Sequence, residues 1–316
     1  MASRPSSREY AMEPPDLKNS FFRVFITYLT AAAAGSIAFF SAPDMDPLMR
    51  ILVADVVATF VVYAASVGAA NTSFYDAYWS VAPPLLLVLA WALPEATGAD
   101  VTRQAILLIA LGYWGARLTW NWARGWTGLD HEDWRYVDFR KRFPAPIFEL
   151  VNLTGLHFFP TLIVFLALTG GLFAWTSPSS VGVLAWLGGA VTVAGTTLQL
   201  VADNDLRAFR NAHGGTGRIL DTGVWTWSRH PNYFGEICVW WGVWLVGADA
   251  AAPLWTITGP LAITGLFVFV SIPLIDKRMA ARREGWNEHV RKTRSLLPLP
   301  LRRSSGPRAA AESHTR

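Results

Sequence analysis

Charge is scarce in this sequence: 16% of the 316 residues are Asp, Glu, Lys or Arg, while 52% are hydrophobic. Soluble globular chains carry about 25% charged residues to keep their surfaces in water, so a soluble enzyme of this length is excluded. There is one cysteine, Cys238, which excludes a disulfide within the chain. Polar stretches long enough to form a soluble domain are also missing; the longest are 123–150, 203–232 and a basic tail from 276. No internal repeat is visible. The first 20 residues are polar and contain proline, where a cleavable signal peptide needs an apolar stretch. The first apolar run is therefore expected to persist as a helix.

What the chain does have is hydrophobic runs, at about 21–41, 48–70, 77–93, 103–122, 156–175, 181–202, 233–250 and 254–275. Each is close to the ~17–25 residues that cross a bilayer as a helix. Sixteen tryptophans fit the same setting, because indole favours the membrane–water boundary. The expected fold is all-α: a polytopic membrane bundle of about eight transmembrane helices with both termini cytoplasmic. The run at 77–93 is short and carries Pro83-Pro84, so a kinked or partly re-entrant segment is expected there. With eight spans, 25 of the 27 Lys and Arg residues fall on the side of the termini, leaving Arg50 and Arg103 on the other. That asymmetry follows the positive-inside rule and places this side in the cytoplasm; it also accounts for the basic pI without a nucleic-acid partner. Residues 1–20 are expected to be a polar tail, 21–300 a single membrane domain, and 301–316 a disordered basic tail.

Function has to be sought in polar groups where lipid would forbid them. Gln199, Asp203, Arg207 and Arg210 are spaced i, i+4, i+8, i+11 at the end of the sixth run, along one helical stripe. Arg117, Asn121 and Arg124 form a similar stripe at the end of the fourth. Two such stripes imply a wet cavity between helices, since a charge facing lipid is expensive; for Arg124 and Arg210, snorkelling heads are an equal alternative. The densest group is Ser228-Arg229-His230-Pro231-Asn232-Tyr233-Phe-Gly235-Glu236. Pro231 suits the first turn of a helix, Asn232 and Glu236 then share a face, and Gly235 permits close approach by a ligand or another backbone. Arg229 and His230 add cationic or donor groups at a helix N-terminus that already attracts anions, so a phosphate is a natural guest.

Arg278 and Arg282 lie one turn apart directly after the last run, and only that first turn of the tail is a candidate ligand contact. Asp130-His131-Glu132-Asp133 lacks spaced metal-ligand patterning and is read as a salt-bridged loop, so no metal is expected. Tyr75, Asp76 and Tyr78 precede the third run and can act as a proton donor with its partner, or as interface anchors.

The segment 228–236, the Asp203–Arg210 stripe and the ending Arg294-Ser-Leu-Leu-Pro298 resemble the steroid 5α-reductase C-terminal superfamily, and most of all its branch of DUF1295 membrane proteins. The similarity covers most of residues 70–300. It implies an NADPH-dependent reductase of a carbon–carbon double bond in a steroid-like or other lipid substrate, held in the membrane with its active site facing the cytoplasm. Carried over by motif, the cofactor-binding part spans about 199–294, with Gln199, Asp203, Arg207, Arg210, Arg229, His230, Asn232, Tyr233, Glu236 and Arg278 as cofactor contacts. Tyr75, Asp76, Tyr78, Arg117 and Asn121 are the catalytic candidates. The tail departs from the superfamily pattern at Arg278 and His289. Methyltransferases of the isoprenylcysteine and phospholipid type share a related motif, so S-adenosylmethionine is the alternative cofactor; a non-enzymatic lipid-binding protein is a third reading. Arg-over-Lys usage leans toward a bacterial inner membrane.

Overall fold

The structure is a computed structural model that describes residues 16–298; most of the expected N-terminal tail and all of 301–316 lie outside the described residues. Among these there are twelve α-helices and no strand, only an isolated parallel bridge between Ser228 and Arg294. The helices are α1 (Leu17–Phe40), α2 (Pro47–Gly68), α3 (Tyr78–Ala90), α4 (Val101–Ala123), α5 (Trp134–Arg142), α6 (Ala145–Val151), α7 (Phe159–Trp175), α8 (Val183–His213), α9 (Pro231–Asp249), α10 (Thr258–Leu266), α11 (Ile272–Arg282) and α12 (Trp286–Lys292). π-Helical turns at Asn152–Phe158 and Phe267–Ser271 splice α6 to α7 and α10 to α11.

The helix starts are written in local chemistry. Asp16, Asp46, Asp100 and Asp133 each turn a carboxylate back onto free amides of the first turn, at Asn19, Leu48 and Met49, Arg103 and Arg135. Pro47 and Pro231 stand at first helical positions, where the missing N–H costs nothing.

Each of the eight hydrophobic runs falls on helix. Five helical stretches are long and apolar enough to cross a membrane: Leu17–Phe40, Pro47–Gly68, Ala145–Trp175, Val183–His213 and Leu254–Arg282. The chain is thus an all-α membrane bundle. The other three runs differ in kind. Helices α4 and α9 have 23 and 19 residues, but Arg103, Gln104, Arg117 and Asn121, or Glu236 and Asp249, dilute their apolar character. Helix α3 has 13 residues, runs through Pro83 and Pro84, and gives way to a 3-10 turn at Pro94–Gly98. At 1.5 Å per residue it is ~20 Å long, short of a ~30 Å hydrocarbon core. Helix α8 errs the other way. Its 31 residues extend ~46 Å, longer than that core, and the polar residues from Asp203 to His213 gather at its C-terminal end.

The two basic residues set apart by the charge count are tied down. Arg103 is fully buried and bonds Asp249 at 3.0 Å as well as the carbonyls of Ser179 and Ser180. Arg50 lies 4.1 Å over the Phe39 ring and donates to the Phe39 carbonyl.

Helices α8 and α9 cross in backbone contact. A Cβ on Gly235 would lie 2.5 Å from the Gly195 carbonyl oxygen, and one on Gly242 would lie 2.6 Å from that of Gly188. The close approach that Gly235 permits is therefore to another helix, in the manner of small-residue packing between membrane helices. Gly235→Leu is expected to destabilise the bundle by at least the ~1–3 kcal/mol of an overpacked core, read as a lower unfolding temperature in detergent. An unchanged temperature would show that the crossing yields. Beside this crossing, Trp114 and Trp240 meet edge to face at 5.1 Å, fully buried. Their N–H groups point the same way, and that direction defines the site.

A polar ladder between α4, α8 and α9

Three helices each contribute a pair of polar residues four apart: Arg117 and Asn121 from α4, Gln199 and Asp203 from α8, Asn232 and Glu236 from α9. The periodicity of the helix stacks each pair on one face, and the faces converge. At the inner end Glu236 accepts from Trp114 Nε1 at 3.0 Å, Trp240 Nε1 at 2.9 Å and Gln199 Nε2 at 2.6 Å. The Gln199 carbonyl oxygen accepts from Arg117 Nη2, and Arg117 Nη1 bonds Asp203 Oδ2 at 2.7 Å. Asp203 also accepts from Asn121 Nδ2 at 3.0 Å and Asn232 Nδ2 at 3.3 Å. Arg124 extends the ladder outward by bonding Asn121 and Asn204. Both carboxylates thus have donors on both oxygens, which is how buried charge is made tolerable.

The ladder forms one wall of a cavity of about 540 Å³, a size suited to a small organic ligand. Tyr75, Asp76, Arg117, Gln199, Asp203, Asn232, Tyr233 and Glu236 all line it. The facing wall is apolar and comes from Trp79, Leu118, Ile163, Ile263, Leu266 and Phe267. A second space of about 550 Å³ adjoins it, lined by Asn121, Arg207, Arg210 and Asn211. The two share Asp76, Trp122, Asp133 and Asp203, so an apolar chamber and a polar one meet at those four side chains. Arg207 is partly committed, donating to the carbonyls of Arg124 and Asn121 at the end of α4. Arg210 is exposed, and among the described residues its guanidinium makes no ion pair.

Arg229, His230 and Arg278 do not face this cavity. Arg229 donates to Asp276 at 2.8 Å and to the carbonyls of Val290 and Thr293, and its amide bonds the Arg294 carbonyl. His230 lies 3.1 Å from the other Asp276 oxygen and stacks on Tyr233. Arg278 sits 3.5 Å over the Trp134 ring. Arg229 and His230 pin the C-terminal segment and α11 against the start of α9, while Arg278 packs on α5; a partner 47 positions away was not legible from the motif. Arg229→Ala is expected to leave Asp276 without its strongest partner and to expose residues 286–298 to protease, at a cost of about 3–5 kcal/mol. Unaltered cleavage of that segment would contradict the pinning role.

The run 130–133 does not converge on a point. Glu132 accepts from the Thr72 amide and pairs with Arg140 at 2.9 Å, while Asp133 caps α5. Asp133 and the α5 residues Arg135, Tyr136 and Phe139 instead line the cavity. Tyr136 donates to Asp76 at 2.7 Å. Burial pushes the Asp76 carboxyl up to about 6, opposed by Arg135 and the Tyr136 hydrogen bond. An unfolded aspartate titrates near ~3.9, so folding takes up a proton between about pH 4 and pH 6. The stability this group contributes is full below pH 4 and is lost as pH rises through about 6. Unfolding temperatures measured from pH 4 to 7 should fall accordingly, and Asp76→Asn should flatten that slope.

The sequence reading missed Asp55, Thr59 and Thr161, which are buried at 3%, 0% and 4% exposure behind Tyr75. The signal for Asp55 was present: it is the one acidic residue inside the second hydrophobic run.

Residues 60–293 match the family described as "Protein of unknown function (DUF1295)". The chain is 28% identical over 234 residues to the uncharacterized protein C594.04c of Schizosaccharomyces pombe, covering 66% of this chain and 67% of that protein. The relative is fungal, so this similarity gives no support to a bacterial membrane. No solved structure matches the chain.

Proposed function

The chain belongs to the DUF1295 family, and from that premise and the geometry of the paired cavities we propose that it is a membrane-embedded, NADPH-dependent reductase of a carbon–carbon double bond in a lipid-like substrate. In this reading eight helical segments span the membrane, both termini lie in the cytoplasm, and the site opens on that side. That membrane, in this reading, is a bacterial inner membrane, favoured by Arg-over-Lys usage.

The observation that carries the reading is the junction of the two chambers. A nucleotide needs a polar, cation-bearing space open to water, and a lipid needs an apolar one. Here the two abut at Asp76, Trp122, Asp133 and Asp203. The residues fit the cofactor on chemical grounds. Arg210, without an ion pair among the described residues, offers its guanidinium to phosphate oxygens, and Arg207 lines the same space. Glu236 Oε1 accepts one hydrogen bond from protein, from Trp240, and a carboxylate oxygen has room for a second. A carboxamide N–H₂ is a matching donor, beside which Gln199 and Asn232 order the polar wall.

Bound NADPH supplies the hydride. The chain's own residues hold and orient the reactants, exclude water and deliver the accompanying proton. Trp79, Leu118, Ile263 and Phe267 surround the apolar body of the substrate. The phenol of Tyr75, which lines the chamber, donates the proton that completes addition of two hydrogens across the double bond. Asp203 and Arg117 keep the α4 and α8 walls in register.

Parallel titration of purified protein in detergent with NADPH, NADH and S-adenosylmethionine tests the cofactor. Binding is expected for NADPH, weakened roughly tenfold or more (~1.4 kcal/mol) by Arg210→Ala. Binding of S-adenosylmethionine alone would replace reduction by methyl transfer. Binding of none would leave a lipid-binding protein without catalysis.

A further inference from the structure

The Tyr75 hydroxyl is one end of a buried chain. It lies 2.8 Å from Thr161 Oγ1, which lies 3.1 Å from Thr59 Oγ1. Thr59 Oγ1 is 3.4 Å from the Tyr78 oxygen, and Tyr78 is 3.3 Å from Asp55 Oδ1. Helices α2, α3 and α7 and the turn Thr72–Tyr75 supply the five groups, and every one is at most 5% exposed. The far side of Asp55 borders a separate space of about 200 Å³ between α1, α2 and α3. Neither that lining nor the packed contact between Asp55 and Tyr75 includes a lysine, arginine or histidine. The titratable groups facing Asp55 there are the phenols of Tyr28, Tyr75 and Tyr78; His157 touches the chain only at Tyr75, with ring centroids 5.0 Å apart. A lone carboxylate at this depth is costly without a countercharge, and a carboxylic acid is not.

We infer that Asp55 is an internal proton store, recharging Tyr75 through Tyr78, Thr59 and Thr161 while an apolar substrate keeps water out of the main chamber. The inference rests on Tyr75 as the proton donor. Asp55 and Tyr78 never meet the substrate; they act through Tyr75.

Each hydroxyl carries one proton, so the direction of donation is collective. In the charged state Asp55 is protonated, donation runs from Asp55 through Tyr78, Thr59 and Thr161 to the Tyr75 oxygen, and the Tyr75 proton points into the chamber. When Tyr75 gives that proton to substrate carbon or oxygen, each O–H bond along the chain breaks as the next forms. Tyr75 is again a phenol and Asp55 a carboxylate. Donation now runs from Tyr75 to Asp55, the direction in which Thr59 donates to Tyr78 and Tyr78 to Asp55. After product leaves, water entering the chamber gives a proton to Tyr75, the chain shifts inward, and Asp55 is reprotonated, leaving hydroxide to the bulk. The inner links of 3.3 and 3.4 Å are long for O–H···O hydrogen bonds and must shorten for the proton to pass.

Infrared difference spectroscopy on the full chain in lipid nanodiscs tests this without any substrate. A protonated-carboxyl C=O band should be present in the wild type and absent in Asp55→Asn. On mixing with D₂O the band should shift as the proton exchanges, and Thr161→Val, which keeps the shape, should slow that shift roughly tenfold or more. Loss of no band in Asp55→Asn, or equal exchange in Thr161→Val, overturns the store. A second readout uses NADPH oxidation with a 3-oxo-4-ene steroid as probe: Thr161→Val should complete one turnover at the wild-type rate and slow on later ones. A wild type that oxidises no NADPH would count against the proposed reaction while leaving the infrared result to judge the store.

Discussion

Asp203→Ala is expected to cost about 3–5 kcal/mol of stability, the range for breaking a buried ion pair by removing one partner. The substitution strips acceptors from three donors at once, Arg117, Asn121 and Asn232. Arg117 suffers most, because its side chain is 3% exposed and is left with the Gln199 carbonyl as its remaining partner. Asp203 also stands at the junction of the two chambers, so the same variant should bind NADPH roughly tenfold or more weakly than wild type. The two effects separate in Asp203→Asn, which keeps acceptor and shape on one oxygen and should recover more stability than affinity. Unfolding temperature in detergent and nucleotide titration measure them independently. If Asp203→Ala unfolds at the wild-type temperature, the ladder is not what ties α4 to α8 and α9.

Tyr75→Phe should lower kcat by about 10²–10⁴, the contribution of a positioned proton donor, while leaving NADPH affinity within about threefold. Removing one oxygen leaves the ring in place against Tyr78 at 5.7 Å and His157 at 5.0 Å, so the packing persists. Single-turnover measurement with the enone probe isolates the chemical step from product release. Undiminished turnover in Tyr75→Phe would move proton donation to another group, and Asp76, next to it in the chain, is an acidic alternative lining both chambers.

The ladder was legible in the sequence for a simple reason. Polar residues spaced by four within apolar runs must share a face, and a face that cannot meet lipid must meet another such face. That reasoning brought together Arg117, Asn121, Gln199, Asp203, Asn232 and Glu236 without knowing how the helices cross. It failed for Arg229 and His230, because adjacency in a motif says nothing about direction: the residues before Pro231 precede the helix and turn toward Asp276 instead. At α3 the two prolines in a short run had already marked a kinked or partly re-entrant segment, and the 13-residue helix followed by a 3-10 turn agrees with that expectation. Asp55 was overlooked since a single acid in a long run has no periodic partner; its partner, Tyr78, arrives from α3 through tertiary packing.

The glycine-to-glycine contact of α8 and α9 has a consequence for how the binding preferences of such a protein can diverge. Four of the six ladder residues ride on this rigid pair, whereas the oily wall opposite, Leu118 of α4 apart, is built by α3, α7, α10 and the π-helical turn at Phe267, elements with no share in the ladder. Exchanging residues 152–163 and 263–274 between homologous chains should therefore transplant the taste for one hydrophobic guest over another and leave nucleotide affinity where it was.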